Sequence, residues 1–312
     1  MKNLDNQIIV SIQCLAYNHA PYIRQCLDGI VMQKTKFRFE AIVHDDASTD
    51  GTQDIIREYE KKYPDIIKPI YQKENQYSKG IPGYITNLIA QQCKGKYIAL
   101  CEGDDYWTDP LKLQKQIDML EKNDSVSLVY TAFKTVDDKG NDLYRKSYEK
   151  FMKRSYSGNN LPELFNMNYI LTCTVAYRKE LIETREFKEG SKLDYGIFLA
   201  AASYGDFCYI NDKTASYRLN PNSLTATKNP IVAQGIFSSY KYYASLFLEG
   251  LPKVQSYEDE LQCARNILKQ SKLHGFIHLE LGILKKYEML REGNILHYLY
   301  LYLKCLIKKQ TI

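Results

Sequence analysis

The chain has 312 residues, 45% hydrophobic and 25% charged, enough to bury a substantial core as one large domain with an appendage or as two domains. Its net charge of +5 is mild, and with no dense basic stripe and no zinc-finger spacing the sequence argues against nucleic acid as a partner. Eight cysteines without one CxxC, four of them (Cys14, Cys101, Cys173, Cys208) inside or beside apolar runs, argue against a disulfide scaffold and predict free buried thiols in a reducing cytosol.

The opening MKNLDNQIIVSI places Asp5 before a short apolar run and does not read as a signal peptide. No segment reaches the roughly 18 apolar residues of a membrane span. The expected location is therefore cytoplasmic, free or peripheral on the inner face of the plasma membrane. Along the chain, IIVSIQCLAY reads as a strand, and PYIRQCLDGIVMQ follows as a helix with Tyr22, Cys26, Leu27, Ile30 and Val31 on one face. FEAIVHDD is a second strand; STDGTQDIIREYEKKY begins with capping residues and sets Ile55, Ile56 and Tyr59 on one side of a helix. IIKPIYQ, GYITNLIAQQCKG and KYIALCE continue as strand, helix and strand, and DPLKLQKQIDMLEK is a helix with Pro110 near its start and Leu113, Ile117 and Leu120 in register.

Such alternation predicts βαβ units and a largely parallel sheet, with ligands beyond the carboxyl ends of the strands. Three predicted strands end in polar clusters: Tyr17 and Asn18, then Asp45 and Asp46, then Glu102, Asp104 and Asp105. If the sheet forms, the three meet at one edge. Carboxylates as close as those in EGDD raise one another's pKa unless a cation neutralises them.

After residue 125 the pattern is mixed. VSLVYTAF and LTCTVAYRK read as strands, LDYGIFLAAASYG as a short helix starting at Asp194, and DFCYINDKTASYRL as a final strand pair. Beyond about residue 226 the sequence reads as helical. The expected organisation is a catalytic domain over 1–225 and a helical region over 226–312.

Taken in order, these stretches resemble the family 2 glycosyltransferases, which have the GT-A nucleotide-sugar-binding fold. The resemblance covers roughly residues 8–225. VSIQCLAYNHAPYIRQCLDGIVMQ is similar to the family's opening strand, Tyr-Asn and first helix. EAIVHDDASTDGT is similar to its acidic second-strand motif, and EGDDYWTDPLKLQKQI to its metal-binding DxD-type motif with Glu102 in place of the first aspartate. LDYGIFLAAASYGDFCYINDKTASYRLNPNSLT is similar to the segment with the catalytic base and a trailing Tyr-Arg strand.

The resemblance implies an inverting hexosyl- or N-acetylhexosaminyltransferase, with a nucleotide-diphosphate-sugar donor, a UDP-sugar by expectation, and Mn2+ or Mg2+ as cofactor. By the same resemblance, Asp104 is the direct metal ligand, Asp105 a second or water-mediated one, and Glu102 faces the ribose or the metal's water shell. Gly103 lets the backbone approach the nucleotide. Tyr17, with Asn18 beside it, stacks on a uracil-like ring, Asp45 accepts its imide N–H, and Asp46 contacts the ribose or holds the loop. Asp194 is the catalytic base, a helix cap, or both. Arg218 and Ser223 contact the diphosphate, or Arg218 stabilises the sheet edge. Ser48 and Asp50 read as caps of the next helix, His19 as structural or loop-bound, and Trp107 as a sugar platform or a core residue.

The acceptor implied is a glycan, free or lipid-linked, in capsule, O-antigen or other surface-polysaccharide synthesis. A C-terminal segment from Ile295 to Ile307, followed by Lys308 and Lys309, suits either a membrane surface or packing on the catalytic domain or a second subunit of a homo-oligomer. A nucleotidyltransferase would need a glycine- and lysine-rich loop, and a dehydrogenase GxGxxG, after the first strand; CLAYNHAPYIR has neither. A non-catalytic nucleotide- or sugar-binding scaffold is the alternative from a different class.

Overall fold

The computed structural model describes residues 7–79, 84–161, 164, 168–190 and 193–220. The first half follows the expected alternation: β1 Ile8–Ala16, α1 Ile23–Val31, β2 Arg38–Asp45, α2 Thr52–Lys62, β3 Ile67–Tyr71, α3 Tyr84–Gln92 and β4 Tyr97–Leu100. Then come β5 Tyr106–Trp107, α4 Lys112–Lys122, β6 Val126–Val136, α5 Lys146–Arg154, β7 Val175–Arg178, α6 Arg185–Gly190, α7 Asp194–Tyr204 and β8 Asp206–Arg218. The sheet has eight strands in the order β3-β2-β1-β4-β7-β6-β8-β5. The β3-β2-β1-β4 half is parallel throughout, β7 is antiparallel to β4 and β6, and β8 returns parallel to β6. This is the mixed, largely parallel α/β architecture expected of a GT-A fold.

Parallel strands buried on both faces read as continuous apolar runs whose side chains alternate between two cores. In β4, Tyr97 and Ala99 join the core beneath α1, α2 and α4, while Ile98 and Leu100 join the opposite core with α3 and α7. Helices α1, α2 and α4 each bury one stripe: Ile23, Cys26, Leu27 and Ile30; then Ile56 and Tyr59; then Leu113, Ile117 and Leu120. Helix α7 is apolar almost all round and buries every residue from Tyr195 to Ala202. Among the described residues strand β3 forms an outer edge, and it carries Pro69 at its centre, a residue tolerated in a sheet where no ladder partner needs its missing N–H.

The second half departs from the sequence reading in three places. DFCYINDKTASYRL is one long strand, not a pair: Ile210 sits opposite Thr131 and Lys213 opposite Ala132, so Asn211 and Asp212 bulge out without a β6 partner. The bulge is exposed, and Asp212 meets Lys115 at 2.5 Å. In LTCTVAYRK, Thr172–Thr174 forms a 3-10 turn and only Val175–Arg178 is strand. The two-residue β5 and the helices α5 and α6 had no counterpart in the sequence reading. The helical region over 226–312, with the segment 295–307, and Ser223 lie outside the described residues.

The six cysteines among the described residues are free; Cys14, Cys26, Cys93, Cys101 and Cys173 are buried as expected, whereas Cys208 is only half-buried. Cys14 and Cys26 sulfurs lie 3.8 Å apart and Cys26 and Cys101 sulfurs 3.7 Å apart, a line of thiols under the EGDD turn. No helix among the described residues is long and apolar enough to cross a membrane.

Candidate active site

Strands β2, β1 and β4 are neighbours, so their carboxyl ends bring the three polar clusters to one edge. Asp45 ends β2 and is fully buried. Its Oδ1 accepts hydrogen bonds from the Ser48 N–H (3.0 Å) and Gln53 Nε2 (2.6 Å), whereas its Oδ2 is buried without a partner. A buried carboxylate oxygen with no donor is costly, and a ligand N–H would complete it. Tyr17, at the end of β1, is 46% exposed beside this edge.

Asp46 does not point into the site. Its two oxygens accept the backbone N–H groups of Gln76 (2.7 Å) and Tyr77 (2.9 Å), so it fixes the loop after β3. Of its two expected roles, ribose contact or loop holding, the structure has the second. Asn18 adopts a positive φ of 53°; its N–H donates to Ser48 Oγ and its Oδ1 accepts the Thr49 N–H, each at 2.9 Å. Ser48 is therefore a cross-loop clamp and not the helix cap expected. Asp50 does both jobs: Oδ1 accepts the Thr52 N–H at 3.0 Å at the start of α2, and Oδ2 accepts the Ala20 N–H at 2.9 Å.

The EGDD turn is stitched to β1 by the Gly103 N–H, which donates to the Leu15 carbonyl at 2.8 Å. A Cβ at 103 would lie 2.9 Å from both His19 Nδ1 and Ile23 Cδ1, so the β1–α1 loop and α1 by themselves crowd a side chain here. Glu102 Oε2 accepts a 2.5 Å hydrogen bond from Thr172 Oγ1. Burial, with Asp194 and Asp104 nearby, pushes the Glu102 carboxyl up to about 7.

Asp104 and Asp105 face different ways. Asp105 is 2% exposed and its Oδ1 accepts the Arg218 N–H at 2.8 Å; burial, then the neighbouring Asp104 and Glu102, raises its pKa well above the usual range. It is turned into the protein, unlike the second metal ligand expected. Asp104 keeps a partly exposed carboxylate, approached by His19 Nε2 at 4.0 Å. His19 Nδ1 is buried without a partner. Among the described residues, no group of three or more His, Cys, Asp or Glu could hold a metal ion. The donor set still fits a hard divalent cation that takes one ligand from Asp104 and the rest from a diphosphate and water.

Arg218 is not a free anion contact. It is 4% exposed, and its guanidinium donates to the carbonyls of Asp104 (2.8 Å), Asp137 and Asp138 (both 3.1 Å) and to Gln25 Oε1 (2.6 Å), with the rings of Tyr22 and Tyr106 on it at 4.8 and 5.5 Å. Of the roles expected for it, bracing the end of the sheet is the one seen. Trp107 is core: it is 2% exposed and its Nε1 donates to the Cys173 carbonyl at 2.9 Å. Beneath it lies buried Lys112, whose Nζ sits 4.6 Å from the ring centroid and donates to Gln116 Oε1 at 2.5 Å. Burial pushes the Lys112 pKa down to about 7.

Asp194 opens α7, and burial raises its pKa while the Tyr195 N–H opposes the shift. Its charge helps to raise the Glu102 pKa. The sequence reading missed Thr172 and the contact of His19 with Asp104. Nothing in LTCT marks Thr172; His19 follows Tyr17-Asn18 directly, and that adjacency was the available signal.

Residues 11–185 match the glycosyl transferase family 2 model. An uncharacterized protein of Mycobacterium tuberculosis is 32% identical over 216 residues, 69% of this chain and 60% of its own length, so the chain spans about three-fifths of this relative. TuaG of Bacillus subtilis, a glycosyltransferase assigned provisionally to teichuronic acid biosynthesis, is 28% identical over 70% of this chain and 82% of its own. The fold is similar to that of S. aureus TarS, solved with UDP (TM-score 0.52, 19% identity, 92% of each chain). It is also similar to a mannosyltransferase of Pyrobaculum calidifontis, solved with GDP-Man and Mn2+ (TM-score 0.60, 16% identity, 97% of this chain and 87% of that one).

Proposed function

The chain belongs to glycosyl transferase family 2, and from that premise we propose a metal-dependent, inverting transfer of a sugar from a UDP-sugar to a hydroxyl of a glycan, free or lipid-linked, in bacterial surface-polysaccharide synthesis. The observation that carries the reading is the buried, unpartnered Oδ2 of Asp45, at the same sheet edge as the partly exposed Asp104 carboxylate. An acceptor waiting for an N–H suits the imide of uracil, and a lone hard oxygen ligand suits a cation shared with a diphosphate. That TarS was solved with UDP and the archaeal mannosyltransferase with Mn2+ is consistent with both.

In this reading Tyr17 stacks on the base, Asn18 and Asp46 hold the two loops that frame it, and Asp45 reads the imide. Asp104 would hold Mn2+ or Mg2+, and that cation would supply positive charge against the departing diphosphate. Asp105, Gly103 and Arg218 set the turn that presents Asp104. Glu102 is pinned by Thr172, and the charges of Asp194 and Asp104 help to raise its pKa. The acceptor oxygen bonds to the anomeric carbon from the face opposite the diphosphate as the carbon–phosphate-oxygen bond breaks. The acceptor proton passes to Asp194, and the nucleoside diphosphate leaves with the electron pair. A raised pKa suits a base that must also hold the proton. Ser223 is retained as a diphosphate contact, with the catalytic domain over 1–225 and the helical region over 226–312.

Release of UDP from a panel of UDP-sugars, with Mn2+ and extracts of cell-surface glycan as acceptor, tests the reading. Turnover confined to a donor with another base would overturn the choice of UDP.

A further inference from the structure

We propose that helix α5 is a docking surface for an anionic glycan, which, resting on the reading above, makes the acceptor a polymer carrying carboxylate or phosphate groups. From residue 145 to 154 the chain has five basic residues, Arg145, Lys146, Lys150, Lys153 and Arg154, all exposed, against one acid, Glu149, which pairs with Lys153 at 2.9 Å and accepts the Tyr144 hydroxyl, so the segment keeps a net excess of four cations. Lys146, Lys150, Lys153 and Arg154 follow one another at intervals that place them on a single face. The other face is occupied. Tyr148 packs against Phe133, Phe151 and Tyr217 with ring centroids 6.2, 5.2 and 5.7 Å apart. The aromatic packing holds the cationic face outward, so the chain does carry one short basic stripe, which the linear sequence displays only as a mixed charge run.

Two further observations select the partner. Tyr144 is 75% exposed and Tyr156 is 37% exposed, one just before the helix and one just after it. Aromatic faces beside cations suit sugar rings that carry acidic groups. A helix that inserts into lipid would offer its apolar face to the bilayer, but here Tyr148 and Phe151 are turned to the sheet. Helix α5 is joined to the site's scaffold through its buried face: Tyr148 packs on Tyr217, the strand neighbour of Arg218, which holds Asp105 and the Asp104 carbonyl. The cationic face is thereby carried outward on the strand that braces the acidic turn.

Binding of the full chain to a polyuronate, a polyol-phosphate polymer and a neutral dextran of equal length is compared by affinity electrophoresis, for wild type and for Lys146→Glu/Lys150→Glu/Lys153→Glu. One or both polyanions should retard the wild type, dextran should not, and the triple variant should bind about tenfold or more weakly. Which polyanion binds identifies the acidic group. UDP affinity should be the same in both proteins, which separates failure of this inference from failure of the donor reading. Equal retardation by dextran, or a variant that binds polyanion like the wild type, overturns it. So does sedimentation with phosphatidylglycerol vesicles that the variant loses while polyanion binding is kept, since the stripe would then be a lipid contact.

Discussion

Arg218 holds Asp105 and Asp104 from one position: its N–H donates to Asp105 Oδ1 and its Nε to the Asp104 carbonyl, both at 2.8 Å. The backbone part of this clamp survives substitution, whereas the guanidinium part does not. Arg218→Ala should therefore cost about 3 kcal/mol of stability, because four acceptors lose a buried cation. UDP binding should weaken with it through a displaced Asp104. Thermal unfolding and calorimetry check the pair; a variant of wild-type stability would show that the carbonyls find water instead.

Asp104→Asn removes the partly exposed acidic-turn carboxylate assigned to the cation. Calorimetric UDP affinity should rise about tenfold or more on adding Mn2+ to the wild type and should not respond to Mn2+ in the variant. A chelator should return the wild type to the variant's affinity.

Asp45→Asn tests the orphaned oxygen. The amide can no longer offer two acceptors, so UDP affinity should fall about tenfold while the metal response persists. Wild-type affinity would mean that Asp45 serves only Ser48 and Gln53.

Asp194→Asn should leave UDP and Mn2+ binding unchanged and lower kcat by roughly 100-fold or more, the range for loss of a general base. Single-turnover transfer reads this directly, and an unchanged rate would leave Asp194 as a helix-start residue alone.

Lys112 gives a pH signature away from the site. Its folded pKa is about 7 against 10.5 for the free side chain, so between these values the unfolded chain binds more protons. Wild-type stability should therefore rise with pH from about 7 upward, and Lys112→Met should flatten that rise. At pH 7 the variant removes a buried amine but leaves Gln116 Oε1 without its donor, so the two proteins should lie within about 2 kcal/mol of each other. Denaturant unfolding at pH 7 and pH 9 measures both.

The first half of the fold was legible because β1 to α4 bury period-two and period-3.6 patterns that local sequence displays, as with Leu113, Ile117 and Leu120. The later elements were less so. Asn211 and Asp212 look like a turn but bulge from one strand, held by the Asp212–Lys115 ion pair, 97 residues away in sequence. Helix α5 hides in a charged run because its apolar face is little more than Tyr148 and Phe151. At the site, the convergence of Asp45 and Asp104 followed from topology. The orientation of each carboxylate did not: Asp46 and Asp105 have the same chemistry as Asp45 and Asp104, and only the backbone N–H groups of Gln76, Tyr77 and Arg218 decide which oxygens are used internally.

The edge strand β3 constrains how copies of this protein can associate. The Gln72 N–H donates inward to the Asp45 carbonyl and the Ile66 carbonyl accepts inward from Ala41, so residues of that parity face β2. Ile67, Pro69 and Tyr71 thus direct their backbone outward, and the middle one has no hydrogen to offer. A foreign strand laid along this rim would find its central rung missing. Along this edge of the described sheet, extension by a further strand is disfavoured at Pro69, and self-association there is left more to side chains than to backbone ladders.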